Sequence, residues 1–215
     1  MKGLFITVEG PDGAGKTSVI QALLPRLQEA FEVPIISTRE PGGSRIAERI
    51  RSIILDVEHT EMDNRTEAIL YAAARRQHLV DRILPNLEVG NIVICDRFVD
   101  SSIVYQGVAR GLGKEEVRQL NLFATEGLLP KKTIYLDVPA EVGIERIHKA
   151  RGNRQFDRLD QEELSFHKMV RQGYLDLIQE DPERFIMIDT RQDLDKVVEE
   201  VYQEIKHEIT KFLMQ

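Results

Sequence analysis

The sequence predicts an α/β fold of three layers, in which helices flank both faces of a five-stranded parallel sheet. Apolar, β-branched-rich runs recur five times along the chain, and the segments between them have helical periodicity. This alternation is typical of right-handed βαβ units, whose strands lie side by side and parallel. The predicted strands are residues 4–9, 33–38, 91–96, 133–138 and 184–189.

Length and composition indicate one domain. With 215 residues, 42% of them hydrophobic, the chain can bury a full core but is short for two ordinary domains, so we expect residues 1–215 to form a single one. Its one cysteine, Cys95, cannot form an intramolecular disulfide, and no uncharged apolar run could span a bilayer. These features predict a cytoplasmic protein with no membrane partner.

The net charge of −7 argues against a general nucleic-acid or membrane-surface binder, because such proteins rely on broad positive potential. If the protein binds an anion, the positive side chains that hold it must be clustered at that site.

The strongest motif is GPDGAGKT, which follows the first predicted strand and precedes a helical pattern at residues 17–31. In Gly-x-x-x-x-Gly-Lys-Thr the glycines let the backbone point successive N–H groups at phosphate oxygens, at the start of a helix. Lys16 would reach the β- and γ-phosphates of a nucleotide, and the Thr17 hydroxyl would hold Mg²⁺. This predicts a P-loop NTPase-type fold whose nucleotide site comprises Gly10, Pro11, Asp12, Gly13, Ala14, Gly15, Lys16 and Thr17.

Basic residues gather after the second predicted strand. Arg39 and Glu40 stand at its end, where ligands of open α/β sheets bind, and a Pro-Gly-Gly turn follows. A solvated helix face would account for Arg45 and Arg49, and less well for Arg39. The basic residues of the helix are Arg45, Arg49 and Arg51.

The longest helical pattern covers residues 64–87. Tyr71 and Arg75 are four residues apart and share a face, so the ring could stack on a base while the guanidinium donates to a base oxygen. Taken alone, a tyrosine in this pattern is more often a residue at the rim of the core, and we expect His78 at the surface or the core rim. The predicted buried residues are Ile69, Ala73, Ala74, Val80, Leu84 and Leu87.

The third predicted strand ends in Asp96, which resembles the Walker B carboxylate near a magnesium ion. Arg97 follows at the sheet edge, where it could bind a phosphate with both nitrogens. Small donors and acceptors come next and could bind a base or a sugar, although Ser101 could simply cap the helix. They are Ser101, Ser102, Tyr105 and Gln106.

Residues 149–163 form the least regular stretch and carry Arg151, Arg154 and Arg158. A basic loop over a phosphate site can close on it, exclude water and neutralise transition-state charge, so this stretch is either a lid or an ordinary solvated loop.

No Asn-Lys-x-Asp motif of a guanine-specific GTPase occurs, and no paired Cys or His spacing suggests zinc.

Five motifs in this order resemble the bacterial thymidylate kinases: GPDGAGKT, TREPGG, RTEAILYAAARR, DRFVDSSIVYQG and DRLDQE. The resemblance runs from residue 4 to about residue 190. It implies transfer of the γ-phosphoryl group of ATP to dTMP, giving dTDP and ADP, with Mg²⁺ as cofactor and usually a homodimer as the assembly.

The resemblance also implies roles in binding dTMP. Arg39, Arg51 and Arg97 match the arginines that hold its phosphate. Tyr71 stands where the family usually has a phenylalanine that stacks on thymine, and Arg75 matches the donor to thymine O4.

Further matches concern the rest of the nucleotide. Ser102 and Gln106 match residues that contact the rest of the base edge. Tyr105 would crowd the 2′ position of the sugar and so favour deoxyribose. Asp12 matches the contact to the acceptor 3′-hydroxyl, and Glu40 and Asp160 match residues near the phosphates and metal.

The predicted catalytic residues are all cations. The acceptor is an ionised phosphate, so catalysis needs alignment and charge stabilisation rather than a general base. The P-loop holds no arginine, which resembles the family members whose lid supplies it. The candidates are Lys16, Arg97, Arg151, Arg154 and Arg158.

Two other functions stay open at this point. A kinase for another nucleoside monophosphate or a deoxynucleoside would keep the P-loop and the lid. A P-loop ATPase switch would hydrolyse ATP slowly and have no small-molecule acceptor.

Overall fold

The sheet is parallel throughout and follows the predicted strands. The computed structural model describes residues 2–149 and 158–214, except for the side chains of Asp160 and Gln161. The strands are β1 (Leu4–Glu9), β2 (Ile35–Arg39), β3 (Ile92–Asp96), β4 (Lys132–Asp137) and β5 (Phe185–Asp189), in the order β2-β3-β1-β4-β5. The prediction of a five-stranded α/β fold is confirmed.

Helices cover both faces of the sheet. In the described residues they are α1 (Lys16–Ala30), α2 (Arg45–Leu55), α3 (Asn64–His78), α4 (Leu84–Glu88), α5 (Val99–Ser102), α6 (Lys114–Thr125), α7 (Ala140–Lys149), α8 (Leu164–Glu180) and α9 (Leu194–Leu213). Two π-helical segments, Leu79–Ile83 and Ile103–Ala109, continue α3 and α5, and a 3₁₀ turn covers Arg158–Gln161. No helix in these described ranges is long and apolar enough to cross a membrane.

Side chains of β1 alternate between two apolar cores, because successive strand residues point to opposite faces. Leu4, Ile6 and Val8 pack with α1 and α9 on one face. Phe5 packs on the other face, in the core that also contains Phe98. The sheet is therefore buried on both sides, as expected for parallel strands between helices.

The continuous helical stretch from α3 to α4 buries a different face from the predicted one. Ile69, Ala73 and Val80 are exposed, whereas Ala74 and Leu87 are buried as predicted. The buried face of α3 carries the polar side chains of Glu67, Arg75 and His78, beside three alanines and Tyr71. The apolar pattern was misleading because these polar groups are buried with hydrogen-bond partners from other elements.

The carboxyl ends of the strands meet at one edge. Asp96 at the end of β3 lies in register with Val8 of β1 and Arg39 of β2, and Asp137 of β4 with Asp189 of β5. Parallel strand ends form a binding edge in open α/β sheets. The functional residues predicted at strand ends therefore face one region.

Candidate active site

The P-loop connects β1 to α1. Gly10, Gly13 and Gly15 have φ values of 150°, 78° and 89°, which side-chain-bearing residues rarely adopt. A Cβ atom at Gly13 would also overlap the carbonyl group of Gly143 in α7. The turn therefore favours glycine at all three positions, and the close approach of α7 requires it at Gly13 in addition.

Lys16 is folded onto the P-loop. Its Nζ donates to the carbonyl oxygens of Gly10 and Pro11, at 2.9 Å each, and the residue is buried. Burial and the nearby Arg97 cation lower the pKa of Lys16 to about 8. The ammonium group thus lies inside the loop, beside the backbone that would surround a phosphate.

Thr17 and Asp96 form a pair suited to a magnesium ion. The Thr17 hydroxyl donates to Asp96 Oδ2 at 3.1 Å across the gap between α1 and β3. In the described part of the chain no three His, Cys, Asp or Glu side chains cluster as a metal site. One or two protein oxygens, completed by water and substrate phosphates, are nevertheless the usual ligands of Mg²⁺ in kinases, so the donor set fits this ion.

Arg97 occupies the centre of the site in a left-handed backbone conformation, with φ at 70°. Its Nη2 donates to Asp12 Oδ1 at 2.6 Å, and its Nη1 donates to the Gly10 carbonyl at 3.0 Å and to Ser101 Oγ at 2.9 Å. Burial alone would raise the pKa of Asp12, but the Arg97 and Lys16 cations outweigh it and lower that pKa. Arg97 is therefore held in place between the P-loop and the helix that follows β3.

Glu9 is a buried carboxylate beneath Arg97 to which sequence reasoning gave no role. It accepts hydrogen bonds from the Phe98 N–H at 2.7 Å, from Ser101 Oγ at 2.6 Å and from the Tyr174 hydroxyl at 2.8 Å. Burial, followed by the nearby charge of Asp100, raises the pKa of Glu9 to about 7. Only its position at a strand end could have identified it, and nothing local identifies Tyr174.

Arg75 is buried, with 2% exposure, and all three of its nitrogens are engaged. Nε donates to Glu40 Oε2 at 2.6 Å, Nη2 to the Phe98 carbonyl at 2.9 Å, and Nη1 to Ser102 Oγ at 3.0 Å and to Asn121 Oδ1. The network fixes the plane of the guanidinium. Tyr71, one turn earlier on α3, is also largely buried, so the two residues share a face as predicted.

His78 is fully buried, which corrects the expectation of a surface or rim position. Its Nδ1 lies 2.9 Å from Glu40 Oε1 and its Nε2 lies 2.6 Å from Thr38 Oγ1. Glu40 is thus held by His78 through one oxygen and by Arg75 through the other. The two ring contacts explain how a polar group can be buried in α3.

The two arginines from the second strand region are oriented by local contacts. Arg39 is half exposed and pairs with Glu48, Nη1 to Oε1 at 2.9 Å. Arg51 donates from Nη1 to the Pro41 carbonyl at 2.8 Å. Both side chains line the central cavity.

One cavity of about 580 Å³ joins most of the predicted residues. The predicted residues that line it are Asp12, Gly13, Ala14, Gly15, Lys16, Thr17, Arg39, Glu40, Arg51, Tyr71, Arg75, Asp96, Arg97, Ser101, Ser102, Tyr105 and Gln106. Sequence reasoning missed Arg146 of α7, which lines the same cavity and donates to the Gly13 carbonyl at 3.4 Å.

Of the three predicted lid arginines, the structure describes only Arg158. Arg151 and Arg154 lie outside the described ranges. Arg158 is buried, donating from Nε to the Ile54 carbonyl at 3.1 Å and from Nη2 to Glu67, and it is not among the described residues that line the cavity.

Comparison with known proteins decides the family. The family model described as thymidylate kinase matches residues 8–201. The chain belongs to the thymidylate kinase family. The resemblance inferred from the five motifs is thereby confirmed.

Curated members of this family are highly similar along nearly the whole chain. A thymidylate kinase of Latilactobacillus sakei is 60% identical, with 95% of each chain covered. One from Pediococcus pentosaceus is 58% identical, covering 94% of this chain and 96% of the relative. A crystal structure of thymidylate kinase from Ehrlichia chaffeensis has a TM-score of 0.77 at 32% identity, covering 96% of this chain and 100% of that one.

Proposed function

We propose that the protein transfers the γ-phosphoryl group of ATP to the 5′-phosphate of dTMP, giving dTDP and ADP. One observation carries the proposal: a single cavity extends from the P-loop to the buried Arg75, with Arg97 between them. A P-loop at one end suits a nucleotide donor. A fixed guanidinium beside a tyrosine at the other end suits an oxygen-bearing base.

For the donor, we propose that ATP binds the loop Gly10–Thr17 with its phosphates. The backbone N–H groups at the start of α1 would face the anion, and Lys16 would exchange its two carbonyl contacts for phosphate oxygens. Thr17 and Asp96 would hold Mg²⁺, directly or through water. When bound, this ion neutralises charge on the donor phosphates.

For the acceptor, we propose that Arg39, Arg51 and Arg97 bind the dTMP phosphate and that Tyr71 stacks on thymine. Arg75 would donate to thymine O4. Among the described residues its Nη2 has one hydrogen-bond partner, the Phe98 carbonyl, so one of its two N–H groups remains for a ligand. The further contacts proposed for dTMP are Asp12, Glu40, Ser101, Ser102, Tyr105 and Gln106.

For catalysis, we propose Lys16 and Arg97 with a lid arginine. The side chains of Lys16 and Arg97 both donate to the Gly10 carbonyl, and cations placed there would stabilise the equatorial oxygens of the transferred group and hold two repelling anions in line. Arg158 is engaged by Glu67 and Ile54. That engagement favours Arg151 or Arg154 as the arginine supplied by the lid.

An acceptor panel tests this function. Purified protein with ATP and Mg²⁺ is given dTMP, dUMP, dCMP or AMP, and ADP release and the diphosphate product are measured. We expect dTMP to be the best acceptor, dUMP poorer, and dCMP and AMP poorer still. Equal turnover of all four would favour a less selective monophosphate kinase, and acceptor-independent ATP hydrolysis would favour the ATPase switch.

We further propose that the protein acts as a homodimer, as the resemblance implies. Ile69, Ala73 and Val80 form an exposed stripe along α3 and the π-helical segment that continues it, and Phe123 of α6 is 87% exposed. Because α3 packs against α6, these side chains offer an apolar surface that a second copy could cover. Light scattering should give the mass of a dimer. We expect Ile69→Glu to lower this mass and Leu213→Glu, a matched change at an exposed leucine of α9, to leave it unaltered.

We expect the protein in the cytoplasm, where ATP and deoxynucleotides are made. Its one cysteine, Cys95, is a buried free thiol, which is compatible with a reducing compartment.

A further inference from the structure

Glu67 is a buried carboxylate that no part of the proposed mechanism uses. It is fully buried on α3, and its Oε1 accepts a hydrogen bond of 2.8 Å from Nε2 of Gln106. Arg158 and Arg110 pair with its carboxyl oxygens. Glu67 thus contacts a residue of the cavity without lining the cavity itself.

The contact with Glu67 fixes which end of the Gln106 amide faces the cavity. A carboxylate paired with arginines only accepts hydrogen bonds, so it takes the NH₂ end of the amide. The opposite orientation would place two oxygens against each other in a buried site, so the hydrogen bond would be replaced by a repulsion. In the described residues this is the one hydrogen bond of the Gln106 side chain, so the amide oxygen remains as an acceptor for a ligand.

An acceptor at this position selects among pyrimidines. Thymine and uracil carry a proton on N3 and can donate it to the amide oxygen, whereas neutral cytosine has a bare N3 that only accepts. A flipped amide would present an N–H group and suit cytosine instead. The orientation of one amide therefore distinguishes these two kinds of base edge, in addition to the donor that Arg75 offers to O4.

We propose that Glu67 is a specificity-determining positioning residue: by taking the NH₂ end of Gln106, it makes the site accept thymine and reject cytosine. The inference rests on the proposed dTMP kinase function and extends it to a residue that does not touch the substrate. Glu67 acts only through Gln106.

The test replaces Glu67 by glutamine, whose amide can either donate or accept and so permits both orientations of Gln106. We measure kcat/KM for dTMP, dUMP and dCMP in the wild type, in Glu67→Gln and in the matched control Arg110→Met. The control removes a charge that contacts Glu67 but leaves the bond between Glu67 and Gln106 in place.

In Glu67→Gln we expect the ratio of dCMP to dTMP kcat/KM to rise by about tenfold or more, limited by Arg75, which still favours a base oxygen. The ratio of dUMP to dTMP should stay unchanged, since both bases share the same hydrogen-bonding edge. Arg110→Met should leave both ratios unchanged.

Three results would overturn the inference: an unchanged dCMP ratio in Glu67→Gln, an equal rise for dUMP, which would indicate a generally loosened pocket, or the same rise in Arg110→Met. Should Glu67→Gln not fold, Glu67→Asp takes its place. Its carboxylate lies one methylene farther from Gln106, so the 2.8 Å contact is lost, and we expect the dCMP ratio alone to rise; an unchanged dCMP ratio would overturn the inference. Wild-type turnover of dTMP in the same assay tests the proposed function separately.

Discussion

Arg75 and Glu40 form an ion pair at the base end of the cavity, Nε to Oε2 at 2.6 Å, with each side chain only 2% exposed. Both partners are satisfied further: Glu40 by His78, and Arg75 by Ser102 and the Phe98 carbonyl. Burying two charges is costly unless their remaining donors and acceptors are paired. The network therefore makes a rigid, oriented guanidinium compatible with a stable fold.

Removing one partner of this pair should be strongly destabilising. We expect Glu40→Ala to lower the free energy of unfolding by about 3–5 kcal/mol, because Arg75 would be left buried and uncompensated. The measurement is urea denaturation followed by circular dichroism. Arg26→Ala, which breaks the exposed pair with Glu199, is the control and should cause a much smaller loss. Equal losses in the two variants would contradict the argument.

The fold could be predicted because its signals are local. Alternating strand and helix patterns and the P-loop glycines each specify their own segment, and parallel strands bring their carboxyl ends together. The buried face of α3 was predicted wrongly because only local patterns were available. Its buried face carries Glu67, Arg75 and His78, whose partners come from distant parts of the chain, so hydrophobicity pointed to Ile69 and Val80 instead.

Sequence reasoning named the residues of the candidate site that belong to recognisable motifs, and it missed residues that only the packing of distant segments brings there. Asp96 and Arg97 follow a strand and can be read from sequence. Tyr174, Asn121 and Arg146 reach the site from helices far along the chain, and no local pattern distinguishes them from other helical residues.

Arg97→Ala should affect the acceptor far more than the donor. We expect kcat/KM for dTMP to fall about a hundredfold or more, because a fixed cation between the P-loop and Ser101 is lost. The affinity for ATP, measured by calorimetry, should change little. Arg118→Ala removes an exposed arginine of α6 and should leave both values unaltered. A preserved rate in Arg97→Ala would exclude Arg97 from the phosphate site.

Glu9 should make stability depend on pH. Its pKa in the folded protein is about 7, above the ordinary value of 4.5, so the folded state binds more protons than the unfolded state between these values. The stabilisation is complete below pH 4.5 and is lost as pH rises through 7. Relative to Glu9→Gln, the wild type should lose on the order of 3 kcal/mol between pH 5 and pH 8, measured by urea denaturation. A constant difference would rule out this titration.

Asp96 should set the requirement for magnesium. The Thr17 hydroxyl donates to Asp96 Oδ2, so the carboxylate and the hydroxyl are already positioned together. We expect EDTA to abolish phosphoryl transfer. We expect Asp96→Asn to raise the Mg²⁺ concentration needed for half-maximal rate about tenfold to a hundredfold, because an amide oxygen attracts a cation more weakly than a carboxylate does. Asp189→Asn, at the equivalent end of β5, is the matched control, since Asp189 pairs with Arg191 instead. If both variants show the same Mg²⁺ dependence as the wild type, Asp96 does not contribute to the metal site.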